Sequence, residues 1–245
     1  MNCPWIRKVF LIVADETHIP KWLNTNNPKL RIVCHREFIP NELLPTFNSS
    51  LIEFFFYKIE DLSDIFITSN DDMYFLQPTP KNFFVDGGKI VKDIRMRAPT
   101  LIKNPNFWQK RLNNNIAFLV KHKHKCYYQS HLPEARLKSF EIDFMSKHYM
   151  EIYDAMSVSR FRHPNNFISW LLIDLLKDTG NCINKNIYSN SCAINLISPT
   201  QVKLLKDKIM CCINDSQDLK NFTQAKKEVQ NFLDARFPNK SSFEK

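Results

Sequence analysis

Three short apolar runs, each closing on a polar turn, set the strongest limit on how this chain can fold. Residues 7–13 (RKVFLIV) end at Ala14-Asp15, residues 29–34 read KLRIVC, and residues 64–69 (DIFITS) run straight into Asn70-Asp71-Asp72. Runs this short and this rich in β-branched residues predict strands buried in a sheet. Residues 17–24 lie between the first two and predict a turn or short helix around Pro20. Between the second and third, TFNSSLIEFFFYKI predicts a helix with Thr46 or Asn48 as its N-cap. Strands alternating with helices predict an α/β domain with a largely parallel sheet.

The next stretch, 78–105, holds Pro78, Pro80, Gly87, Gly88, Pro99 and Pro105, and predicts a hairpin at Asp86-Gly87-Gly88. Beyond it the periodicity predicts helices over 106–120, 134–147, 166–178 and 217–235. The expected organisation is therefore one domain, 1–245, with an α/β half (1–105) and a mainly helical half (106–245).

Four local patterns offer chemistry. Asn70-Asp71-Asp72 follows a strand, where open α/β sheets place their ligands. Paired carboxylates there hold a divalent cation, which in turn neutralises a diphosphate. The same residues also serve as ordinary turn formers. His131, in Ser-His-Leu-Pro, has a side chain that titrates near neutrality and suits a general base, or else it shapes a turn before Pro133. Arg160 and Arg162 flank Phe161; if the segment is extended they share a face and can fork onto phosphate oxygens, and otherwise they are surface charges. Asn214-Asp215 follows the helix-like stretch VKLLKDKIM and reads first as a helix stop or the cap of the next helix.

Composition removes several classes. Three glycines cannot write a dinucleotide-binding or Walker-type phosphate loop. Seven cysteines without a CxxC pair give no zinc ribbon or redox motif and fit reduced, buried thiols. No uncharged apolar run reaches the ~20 residues of a membrane span, and Arg7 and Lys8 interrupt any signal-peptide pattern. The expected location is the cytoplasm, with peripheral association at the inner face of the cell membrane. The formal charge of +9 suits an anionic partner. The basic residues are scattered and make no nucleic-acid-binding motif, so no nucleic-acid partner is expected.

Taken in order, these blocks carry a resemblance. CPWIRKVFLIVADETHIPKWL, NPKLRIVCHREFIP, LPTFNSSLIE and FITSNDDMYF closely resemble the second conserved region of the Stealth family. SHLPEARLKSFE through SRFRHPNNF resembles its third region, and CCINDS with FPNKSSFE its fourth. The resemblance implies a glycosyltransferase-A-like (Rossmann-like) fold with additional C-terminal helices. It also implies transfer of a hexose-1-phosphate, such as N-acetylhexosamine-1-phosphate, from a UDP-sugar to a hydroxyl of a capsular or surface polysaccharide or oligosaccharide acceptor. UMP leaves and a phosphodiester forms.

It further implies site roles. His131, Arg162 and Asp72 are catalytic; Thr46, Asn48, Glu53, Asn70 and Arg160 bind substrate; and Asp71, Asp72, Asn214 and Asp215 hold Mg2+ or Mn2+. The family's first block, a strand followed by a motif like YTWVDGSD, has no counterpart ahead of Cys3. Residues 1–245 alone are therefore expected to be weak or inactive. The alternative role is a remnant that binds glycan or a partner enzyme in a capsule-assembly complex.

Overall fold

The computed structural model describes residues 2–186, 189–196, 198–216 and 218–245. The first two apolar runs form β1 (Val9–Val13) and β2 (Leu30–Cys34). They pair in parallel, Val9 opposite Leu30 through Val13 opposite Cys34. Helix α1 (Ser49–Phe54) follows, with Asn48 at its N-cap, shorter than the sequence predicts because the chain tightens into a 3-10 turn at Phe56–Lys58. The third run is β3 (Ile65–Thr68), and β4 (Met73–Phe75) comes directly after the acidic loop. The glycine hairpin joins β5 (Val85–Asp86) to β6 (Lys89–Lys92), with Gly87 and Gly88 both at positive φ, where a side chain is strained.

The second half departs from the helical expectation. It holds α2 (Phe107–Lys121), α3 (Lys138–Ser157), α4 (Trp170–Asp178) and α5 (Phe222–Arg236). A short β7 (Met96–Arg97) precedes them, and five strands are interleaved: β8 (Cys126–Tyr127), β9 (Glu134–Leu137), β10 (Cys182–Asn184), β11 (Ser191–Leu196) and β12 (Met210–Asp215). Residues 134–137 read Glu-Ala-Arg-Leu, all strong helix formers, yet pairing with β3 holds them extended and α3 starts only at Lys138. The first residues of VKLLKDKIM close a 3-10 helix, Pro199–Leu205, and after a turn the chain enters β12 at Met210, so Asn214 and Asp215 lie on a strand and not at a helix end.

The described strands form five small sheets in a mixed α/β architecture. β6–β10 and β11–β12 are parallel like β1–β2. β3–β9, β4–β12, β5–β6 and β7–β8 are antiparallel. The largest core packs α1, α2, α3 and α4 around Phe54, Ile116, Leu119, Ile152 and Leu171, all buried. Strand alternation sends Cys211 into a second core with Leu76 and Leu205, and Met210 and Cys212 into a third with Phe84 and Ile90. Asn106 and Gln109 close a reciprocal capping box at the start of α2. Among the described residues, no helix is long and apolar enough to cross a membrane.

Two buried charge clusters tie elements together. Lys92 bonds Glu134, and both are buried. Arg136, 2% exposed, donates from Nε to Glu141 Oε1 at 2.6 Å and from Nη2 to the Glu53 carbonyl at 2.9 Å. Its guanidinium lies over the rings of Phe56 and Phe66.

Candidate active site

Two antiparallel ladders fix the acidic loop 69–72. On one side Thr68 pairs with Glu134, so the chain leaving β3 runs beside the chain entering β9. That register carries Asn70 past the residues just before Glu134, and Asn70 Nδ2 lies 3.2 Å from His131 Nε2. On the other side β12 pairs with β4, and the Ile213 amide donates to the Asp72 carbonyl at 2.9 Å. With a side-chain period of two, Cys212 and Asn214 then point together toward the loop. Cys212 Sγ is 3.1 Å from Asp72 Oδ2 and 3.4 Å from His131 Nδ1. Asn214 Nδ2 is 3.4 Å from the same His131 nitrogen and donates to Asn195 Oδ1 at 3.4 Å. Asp72 Oδ2 faces His131 Nδ1 at 4.0 Å.

Asp72, His131 and Cys212 thus offer ligand atoms within 4.8 Å of one another. Asp72 Oδ1 is buried without a hydrogen-bond partner. A buried carboxylate oxygen left bare is costly, and a cation offsets that cost. Burial, reinforced by the Asp72 carboxylate, pushes the Cys212 thiol well above its ordinary range. Cys212 therefore stays protonated and donates.

This group opens on a cleft of about 3280 Å³. That is several times the ~300–1,000 Å³ of an ordinary small-molecule pocket. β1 and β3 both line it, and β1 is only half-buried although its sequence VFLIV is wholly apolar. A second polar group lines the same cleft. Arg162 Nη2 donates to Ser49 Oγ at 3.0 Å. Buried Arg111, from α2, donates to Ser50 Oγ at 2.8 Å and to the Phe167 carbonyl at 3.1 Å. Burial and the neighbouring Arg162 charge pull Arg111 down to about 10. Two cations this close, one of them buried, form a receptor for anionic oxygens. Trp170 packs against both Trp108 and His131 on the same wall.

Of the residues singled out in the sequence, Asn70, Asp71, Asp72, His131, Arg162, Asn214 and Glu53 line this cleft. The structure does not bring the others there. Asp215 lies on the face of β12 opposite Asn214, and is exposed. Asn48 is fully buried and donates to Asn166 Oδ1 at 2.9 Å. Thr46 is buried and donates from Oγ1 to the Arg160 carbonyl at 3.4 Å. Arg160 is exposed, and its carbonyl also accepts from the Phe47 amide. These three brace the turn that presents Arg162. Glu53 accepts from Ser169 Oγ at 2.8 Å and sits 3.7 Å from Arg136 Nη1, which anchors it.

Sequence reasoning missed Arg111, Ser49, Cys212 and Trp170. Arg111 alone left a trace, a charge beside Leu112 on the apolar stripe of a helix.

The model of Stealth protein conserved region 2 matches residues 1–93, and that of conserved region 4 matches residues 203–245. The chain belongs to the Stealth family. It is 30% identical to a capsular polysaccharide phosphotransferase, WcwK, of Streptococcus pneumoniae, over 99% of this chain and 82% of the relative. It is 31% identical to a receptor polysaccharide phosphotransferase, WefC, of Streptococcus gordonii, over 98% and 82%. A capsular polysaccharide phosphotransferase of Streptococcus thermophilus, eps5J, is 46% identical over 86 residues, 35% of each chain.

Proposed function

We propose that this protein is a sugar-phosphate transferase of capsular or surface polysaccharide synthesis. The donor is a UDP-sugar and the group moved is a hexose-1-phosphate. The relatives' names support the reaction class. The observation that carries the mechanism is His131, held between Asn70 on Nε2 and the Asp72–Cys212–Asn214 group on Nδ1, in a cleft that Arg162 and Arg111 also line. The parallel β1–β2 pair, and a third strand ending at the acidic loop, support a glycosyltransferase-A-like core.

The Asn70 amide nitrogen can only donate to Nε2, so the proton of the neutral ring sits on Nδ1, on the side of the Asp72 carboxylate, and the Nε2 lone pair faces the cleft. An acceptor hydroxyl that displaces the Asn70 amide gives its proton to Nε2 as its oxygen attacks the sugar-bearing phosphorus. The bond from that phosphorus to the bridging oxygen breaks, and UMP leaves. Arg162 and Arg111 meet the charge on the phosphate oxygens.

A divalent cation, Mg2+ or Mn2+, would answer the bare Asp72 oxygen, with Asp71 and Asn214, which line the same cleft, as the further residues to hold it. Bound there, it would neutralise the donor diphosphate. Asp215 is left out of this set because it lies on the opposite face of β12. The acceptor is a polysaccharide or oligosaccharide hydroxyl, and assembly takes place at the inner face of the membrane.

The test is His131→Asn, which keeps a polar group of similar reach. Turnover should fall by ~10²–10⁴-fold, and the acidic limb of the pH–rate profile should vanish. Wild-type turnover with an unchanged profile excludes the base role.

A further inference from the structure

Outside the cleft, α2 and α3 meet at a second constellation. His122 is the C-cap just past α2, and His148 and Glu151 stand three apart on one face of α3. Glu151 Oε2 lies 3.2 Å from His122 Nε2 and 3.9 Å from His148 Nδ1. One ligand atom from each residue falls within 4.8 Å of the other two.

Metal–nitrogen and metal–oxygen bonds of about 2.0–2.2 Å place tetrahedral ligand atoms about 3.3–3.5 Å apart. One edge of this triangle is already that short, and small side-chain rotations close the rest. Aromatic contacts fix the rings. His148 stacks on Phe144 at 5.0 Å between centroids, and His122 lies 4.3 Å from Phe118.

Lys121 donates to Glu151 Oε1 at 2.7 Å, which leaves Oε2 turned toward the two imidazoles.

We propose that His122, His148 and Glu151 form a Zn2+ site, one ion per chain with water as the fourth ligand, which clips the end of α2 to α3. Two imidazoles and one carboxylate suit zinc, whereas Mg2+ and Mn2+ prefer all-oxygen donors. The site is therefore chemically distinct from the loop at Asp72. Its role is a brace, since none of the three residues lines the cleft.

The experiment titrates the metal-free chain with Zn2+ against a chromophoric chelator, and repeats the titration with Co2+ to read the ligand set. Glu151→Gln preserves shape and serves as the main variant. His148→Gln is the second, accepted only if its circular dichroism matches wild type. Cys212→Ser controls for the cleft. The account expects one zinc per chain, affinity lowered at least tenfold by Glu151→Gln and unaffected by Cys212→Ser, and a cobalt spectrum without a thiolate charge-transfer band. Zinc should raise the melting temperature of wild type and Cys212→Ser but not of Glu151→Gln. No zinc retained, retention unchanged in Glu151→Gln, or retention lost in Cys212→Ser would each overturn it.

Discussion

The thiol of Cys212 donates to Asp72 Oδ2 across 3.1 Å, joining a buried strand to the acidic loop 140 positions earlier in the chain. The other Asp72 oxygen has no partner at all. The thiol is therefore the side-chain donor that aims this carboxylate, although the adjacent main chain also ties the loop to β12. Cys212→Ser keeps a donor and should keep most turnover. Cys212→Val removes it and should lower kcat by about tenfold, in line with a hydrogen bond to a charged group. In the native chain, Cys212 should also resist iodoacetamide at pH 8, because burial and Asp72 hold its proton. Rapid alkylation, read by mass spectrometry, would contradict this.

Arg162 offers a planar fork beside a second, buried guanidinium. Lysine carries the same charge but only a point donor. Arg162→Lys should therefore lose nearly as much kcat/KM as Arg162→Ala, by at least about a hundredfold, with little change in melting temperature because the side chain is exposed. Near-wild-type activity in the lysine variant would reduce Arg162 to a surface charge.

Asp174 is buried on α4, and desolvation raises its carboxyl to about 7 against the opposing pull of Lys177. The folded state then binds more protons than the unfolded chain between about pH 4 and 7. The stability tied to this group is fully present below about pH 4 and is lost as pH rises through 7. Asp174→Asn removes that slope. The urea midpoint of the variant relative to wild type should climb steadily from pH 4.5 to 8. A difference independent of pH would contradict the assignment.

Arg136 and Glu141 are 2% and 1% exposed. Arg136→Met strands a buried carboxylate, whose own range is already raised by burial. The cost should be about 3–5 kcal/mol in urea unfolding. The double variant Arg136→Met, Glu141→Leu should recover much of it, because the fully buried carboxylate is then gone and Glu53, only partly buried, keeps its hydrogen bond from Ser169. Equal destabilisation in both variants would show that Arg136 acts through Glu53 instead.

The parts legible in the sequence are those decided by local pattern. VFLIV, LRIVC and IFIT are too short and too β-branched for helices, and all three are strands. Asn70-Asp71-Asp72 was legible as a loop because an apolar run ends there. The partner of that loop was not legible. Glu-Ala-Arg-Leu favours a helix and is held extended only by its register with Ile65–Thr68, and that register is what brings His131 to Asn70. Likewise Cys212-Ile213-Asn214-Asp215 resembles a cap until β12 is seen, and alternation then sends Asn214 to the site and Asp215 to solvent. Asn48 and Thr46 carried a family signal, yet their contacts are structural. Arg111 falls on the apolar stripe of α2, so periodicity marks it as turned inward but not that it faces a cleft.

The claim that a sugar phosphate moves, and not a sugar alone, is tested most directly by the nucleotide left behind. The protein as the cell makes it, given a UDP-sugar, a divalent cation and a capsular oligosaccharide acceptor, is followed by phosphorus NMR. The account predicts UMP in step with a new phosphodiester resonance on the acceptor, both abolished in Asp72→Asn. UDP as the nucleotide product, with no phosphorus on the acceptor, would mean that the bond broken lies between sugar and phosphate, and would contradict it.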